Sequence, residues 1–99
     1  MASNEILISP DAMRGRAREC DTQAKTIGDV VRNMDALLAN LQAEWKGQAS
    51  DAYSERYLGE FKPGLERTQR MLEEISRALN QEASNKEEAD RAAAAALRG

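Results

Sequence analysis

The chain is predicted to be all-α: an antiparallel helix-turn-helix hairpin that dimerises into a four-helix bundle. Apolar residues recur in alternating steps of four and three along both halves, which is typical of one face of a helix and not of a strand. The pattern is interrupted near the midpoint, at Trp45-Lys46-Gly47, which holds the only tryptophan among the 99 residues. Each apolar stripe is wider than one neighbouring helix can cover, so we expect a second hairpin to cover the rest.

The first helix is expected to span about residues 10–44, after a short extended arm over residues 1–8. Ser9 is a favoured N-cap residue, Pro10 suits the first helical position, and Asp11 lies near the positive end of the helix dipole. The apolar seam of this helix consists of Met13, Ala17, Cys20, Ala24, Ile27, Val31, Met34, Leu38, Leu41 and Trp45, with Val30 and Leu37 beside it.

A turn over residues 45–47 is expected to join the two helices. Gly47 can adopt the left-handed backbone conformation that ends a helix, and the ring of Trp45 can fold over the end of the hairpin. Helix two is expected over about residues 49–82. Its seam consists of Leu58, Phe61, Leu65, Thr68, Leu72, Ile75 and Leu79.

Pro63 predicts an irregularity in helix two. It has no amide hydrogen and its ring would press on the carbonyl of Gly59, so a kink or local break is expected near residues 59–64. Beyond about Glu82 the seam stops, and residues 91–99 are mostly alanine, which favours a helix but buries little area. Residues 1–83 are therefore predicted to form the hairpin, and residues 84–99 a flexible or frayed tail.

Composition argues against several functions. Without histidine the chain lacks the commonest metal ligand and general base, so we expect no enzyme activity, cofactor or metal. The net charge is -3 and both signs are interleaved, so nucleic-acid binding is not expected. The N-terminal Ile6-Leu7-Ile8 is too short for a signal peptide, and no run approaches the ~18 apolar residues of a membrane span. We therefore expect no stable membrane insertion, and any secretion would use no cleavable signal.

Trp45-x-Gly47 in the middle of a two-helix chain of this length resembles the WXG family, the Esx or ESAT-like substrates of type VII secretion. The resemblance covers the whole chain. It includes the Ser9-Pro10 helix start, Phe61 with Pro63 and Leu65, and Leu72-Glu73-Glu74-Ile75 before a charged tail.

The resemblance implies pairing with a second WXG protein, identical or related. The mostly apolar seam and balanced charges favour self-pairing. It also implies synthesis in the cytoplasm and export by a membrane-bound secretion ATPase that reads the tail, followed by a role as effector or as export partner of another substrate. Trp45 would then both cap the hairpin tip and form an export signal together with the other chain's tail.

The tail signal of the family resembles Tyr-x-x-x-Asp/Glu, and the matching positions here are Lys86 and Asp90, so the acid is present and the aromatic residue is not. Either a partner supplies the aromatic residue or this branch tolerates another one. Lys86 and Asp90 are equally compatible with an ordinary ion pair on a solvated helix. The alternative function is an intracellular coiled-coil adaptor or chaperone, in which the Trp-x-Gly turn is only structural.

Overall fold

A computed structural model describes residues 8–98, and the expected N-terminal arm lies outside this range except for Ile8. The described chain contains three α-helices, α1 (Pro10–Glu44), α2 (Gln48–Arg56) and α3 (Lys62–Arg98), and a π-helical turn, Tyr57–Phe61, between α2 and α3. From Gln48 onward these elements form one long helix that packs antiparallel against α1. The predicted all-α helical hairpin is confirmed.

The start of α1 has the capping arrangement that the sequence predicts. The backbone amide of Ala12 donates to the side-chain oxygen of Ser9 at 3.1 Å, and Pro10 occupies the first helical position. Met13 donates its amide to the carbonyl of Ser9 at 2.9 Å. Two amides of the first turn are thereby satisfied, which fixes where the helix begins.

Small side chains dominate the interface between the two long helices. A Cβ atom at the buried Gly28 would lie 3.0 Å from Nε2 at the end of the Gln69 side chain, so the two helices come close together here. No large side chain among residues 8–98 is fully buried. The buried residues are Met13, Ala17, Ala24, Gly28 and Val31 on α1, and Ser50, Ser54, Tyr57, Ser76 and Ala83 on the second long helix.

The irregularity expected near residues 59–64 takes the form of the π-helical turn, which ends at Phe61, two residues before Pro63. The amide of Lys62 donates to the carbonyl of Tyr57, five residues earlier. Because Pro63 cannot donate to the carbonyl of Gly59, widening the preceding turn lets the chain continue as a helix where a kink or local break was expected.

The second long helix continues well beyond the end predicted near residue 82, because α3 reaches Arg98. Ala83 is fully buried, and Glu87 forms an ion pair with Arg14 of α1, so the first part of the expected tail packs against the hairpin. Residues 88–98 are exposed, and their alanines support the helix by propensity alone. The Cα atoms of the hairpin extend over 76 × 26 × 15 Å, one layer of helices thick.

Candidate protein-interaction site

The WXG turn occupies the three residues between Glu44 and Gln48. The amide of Trp45 donates to the carbonyl of Leu41 at 2.6 Å and completes the last turn of α1. The amide of Asp51 donates to the carbonyl of Gly47 at 3.2 Å, so Gly47 is the N-cap of α2. The turn therefore ends one helix at its tryptophan and starts the next at its glycine.

Gly47 has φ 148° and ψ 176°, a backbone conformation that is essentially restricted to glycine. The sequence predicted instead the left-handed conformation that ends a helix, in which ψ is much smaller than the 176° of Gly47. No atom lies within 4 Å of where a Cβ of Gly47 would be. The requirement for glycine is therefore set by the backbone and not by lack of space.

Trp45 lies at the tip of the hairpin and is 45% exposed. Its ring packs against that of Tyr53 on α2, with 6.1 Å between centroids and 36° between planes. The two rings stabilise each other while each leaves part of its surface open to solvent. Their contact forms an aromatic surface beside the turn.

An apolar groove of about 640 Å³ runs from this aromatic surface along one side of the hairpin. Large apolar side chains from both long helices line it although they are substantially exposed, with Leu37 and Phe61 each 51% exposed. The guanidinium of Arg56 stacks over the ring of Phe61, 5.5 Å from its centroid, at the edge of the groove. The lining residues are Val30, Met34, Leu37, Leu38, Leu41, Trp45, Ser50, Tyr53, Arg56, Tyr57, Phe61 and Leu65.

The predicted seam residues are divided between the hairpin interior and this open side. The buried ones are Met13, Ala17, Ala24 and Val31, all on α1. The half-buried ones are Cys20, Ile27, Met34, Leu38, Leu41, Leu65, Leu72 and Leu79, and the exposed ones are Val30, Leu37, Trp45, Leu58, Phe61, Thr68 and Ile75. Most of the predicted seam is therefore not the core of a single hairpin.

A smaller notch of about 170 Å³, lined by both polar and apolar residues, lies on the other side of the helix–helix contact, with Leu38 and Tyr57 lining both depressions. Here Nζ of Lys62 donates to Asp35 at 3.0 Å, and this hydrogen bond raises the pKa of Lys62. The Tyr57 hydroxyl donates to the carbonyl of Val31 at 3.3 Å. Burial, with a further contribution from the charge of Asp35, raises the pKa of Tyr57.

Lys86 and Asp90 lie on α3 near the opposite end of the hairpin, with 3.6 Å between Nζ and the carboxylate. This is the ordinary i,i+4 ion pair that the sequence left open. Because α1 has 35 residues, about 50 Å separates this end from Trp45 within one chain. The two parts of the expected export signal are not brought together by a single hairpin.

Arg14 and Glu87 form an ion pair that the sequence analysis did not identify. Nη1 and Nη2 of Arg14 donate to the two carboxylate oxygens of Glu87 at 2.9 and 2.7 Å, and these hydrogen bonds lower the pKa of Glu87. The two residues are 73 positions apart, so only the register of the hairpin brings them together. The sequence carried no local signal for this pair.

Among residues 8–98, no group of three or more Cys, Asp or Glu side chains is placed to hold a metal ion, and no helix is long and apolar enough to cross a membrane. Cys20 is a free, half-buried thiol on α1.

Comparison with known proteins gives a consistent result. Residues 5–91 match the family model WXG100, described as proteins of 100 residues with WXG. Protein YukE of Bacillus subtilis is 23% identical over 94 residues, 95% of this chain and 96% of that protein. Type VII secretion system extracellular protein A of Staphylococcus aureus is 26% identical, over 86% of this chain and 87% of that protein. The crystal structure of Geobacillus thermodenitrificans EsxA superposes with a TM-score of 0.85 and 27% identity, covering 93% of this chain and 100% of that one.

Proposed function

Because this chain belongs to the WXG100 family, with relatives that include a type VII secretion system extracellular protein, we propose that it is exported by a type VII system as a dimer. It acts as a secreted effector or as the export partner of another substrate, without enzymatic activity. Membership of the family supports the export route, and the apolar groove supports the dimer.

The apolar groove is the observation that supports the dimer best. It is open along one side of a hairpin that fully buries no large side chain among residues 8–98, so a second layer of helices would complete the core. A second copy is the favoured occupant, because the groove is almost entirely apolar and a twofold axis would bring the apolar grooves of the two copies together. Arg56, at the edge, is the one charged residue in its lining.

The two hairpins pack antiparallel in this proposal. Trp45 and the pair Lys86 and Asp90 are about 50 Å apart in one chain, and an antiparallel second copy would bring the tip of one chain near the tail of the other. The secretion ATPase would then read one combined surface, with Lys86 standing where the family has a tyrosine. Export would thus depend on the assembled dimer.

Two measurements test the proposal. Sedimentation equilibrium of the full chain at micromolar concentration is expected to give twice the 10.9 kDa chain mass, and a helical monomer would contradict self-pairing. Fractionation of cultures with an active or an inactivated secretion ATPase is expected to place the protein in the medium only when the ATPase is active. Retention in the cells in both cultures would instead support an intracellular adaptor or chaperone.

A further inference from the structure

We infer that Arg14 is a positioning residue for the C-terminal part of α3, and that its ion pair with Glu87 turns Lys86 and Asp90 towards the side of the hairpin that a second copy would cover. The expected effect on export rests on the proposed function. The positioning of the tail does not, because it involves contacts within one chain only.

Glu87 continues the buried row of α3. Ser76 and Ala83 are seven residues apart and both face α1, and Glu87 follows Ala83 by four residues, about one helical turn. Its carboxylate meets the guanidinium of Arg14 through two parallel hydrogen bonds, and Oγ of Ser84 lies 3.5 Å from Nη2 of Arg14. A bidentate pair of this kind fixes orientation as well as distance.

The rotation of α3 about its own axis that points Glu87 towards Arg14 also sets the direction in which Lys86 and Asp90 point. Eleven residues make up almost three full helical turns. Viewed along the axis of α3, Lys86 therefore points within about 20° of the direction of Ile75, and Asp90 within about 20° of the direction of Leu79. Leu72 and Leu79 follow Leu65, a groove residue, at intervals of seven. Lys86 and Asp90 therefore extend the groove side of α3, provided that Glu87 keeps facing α1.

Among residues 8–98, the Arg14–Glu87 pair is also the most C-terminal hydrogen bond or ion pair that joins α3 to α1. Residues 88–98 are exposed, and a short alanine-rich helix is marginal in water when nothing packs against it. Without the pair, α3 would fray back towards the buried Ala83, and Lys86 and Asp90 would lose their fixed direction. A receptor or second copy would then have to order this segment on binding, which weakens recognition.

The test uses the full chain with Arg14→Gln and Glu87→Gln, and with the exchanged pair Arg14→Glu/Glu87→Arg. Arg16→Gln is the matched control, because Arg16 pairs with Glu19 on its own helix. Amide hydrogen exchange over residues 84–98 is expected to be about two- to fivefold faster in each single Gln variant, largely restored in the exchanged pair, and unchanged in the control. Equal exchange in Arg14→Gln and wild type would overturn the positioning role.

Export is measured for the same variants in the same cultures. Arg14→Gln and Glu87→Gln are expected to reduce the fraction in the medium, and the exchanged pair to recover most of it. Faster exchange combined with wild-type or increased export would overturn the inference that the orientation of the tail matters. If the wild-type protein itself is not exported, the proposed function fails, and the exchange rates still decide whether Arg14 holds the tail.

Discussion

The rings of Trp45 and Tyr53 lie in contact across the hairpin turn, with 6.1 Å between their centroids. Trp45 belongs to the end of α1 and Tyr53 to α2, so their contact connects the two helices directly beside Gly47. Both rings are also open to solvent and line the apolar groove. One contact therefore stabilises the tip and supplies part of the exposed lining of the groove.

Trp45→Ala separates these two roles. We expect nearly unchanged helicity and a loss of about 1–2 kcal/mol in the free energy of unfolding, because the ring is only half-buried. Export is expected to fall much more than stability. Circular dichroism, urea unfolding and culture fractionation provide the measurements. A collapse of helicity together with export would instead assign Trp45 a purely structural role.

Leu37→Glu tests whether the groove is the dimer surface. A carboxylate in the centre of an apolar interface would have no partner, so the dissociation constant is expected to rise at least about tenfold. Ala36→Glu is the matched control, since Ala36 is exposed and does not line the groove. Sedimentation equilibrium compares the two. Equal dissociation constants would place the dimer interface elsewhere on the hairpin.

Gly47→Ala tests the backbone of the turn. The conformation of Gly47 is strained for any residue with a Cβ atom, so we expect a loss of about 1–3 kcal/mol in the free energy of unfolding. Gly59→Ala is the control. A Cβ atom at Gly59 would also meet no atom within 4 Å, but the φ of Gly59, unlike that of Gly47, is not positive. That variant is expected to match wild type or gain up to about 1 kcal/mol in urea unfolding. Similar losses in both variants would contradict the assignment.

Alkaline pH is expected to destabilise the hairpin through Tyr57 and Lys62. Burial raises the pKa of Tyr57 above its ordinary 10.0, and the hydrogen bond to Asp35 raises that of Lys62 above 10.5. For a raised pKa the folded state binds more protons, so the stabilisation is fully present below the ordinary value and is lost as pH rises through the folded value.

Absorbance at the tyrosinate band is the measurement for this prediction. The wild-type titration is expected to contain a component above pH 10 that disappears in Tyr57→Phe, and urea midpoints should fall over the same range. Tyr53→Phe serves as the control for the other phenol, which lies at the exposed tip. Survival of the late component in Tyr57→Phe would show that another group is responsible.

Sequence periodicity revealed the hairpin and part of its interior, because Met13, Ala17, Ala24 and Val31 of the predicted seam are buried. Ser9 and Pro10 specify where α1 begins because capping is local chemistry, and the four-and-three pattern specifies two helices. The same pattern marked Val30, Leu37 and Phe61 as seam residues, and these lie on the open side. The interior contains residues such as Gly28, Ser54 and Ser76, because close helix packing selects small volume, which a hydrophobicity pattern does not detect.

Other features depend on geometry that the sequence does not encode locally. Pro63 predicted an irregularity, but the local sequence does not specify whether a helix kinks, breaks or widens into a π-helical turn, as it does over Tyr57–Phe61. The alanine-rich tail looked frayed because it buries little area. The contact of Glu87 with Arg14 depends on the antiparallel register over 73 positions, and it holds part of the tail in place.

The hairpin is one layer of helices thick, and this shape bears on the proposed export. Across its long axis the hairpin measures 26 × 15 Å between Cα extremes, while its length is 76 Å. Stacking a second hairpin on the groove side adds about 10 Å to the thinner dimension, the usual spacing between packed helices. If the proposed dimer is exported folded and end-on, a conduit would have to match only this narrow cross-section, and passage would depend on alignment with the opening and not on mass.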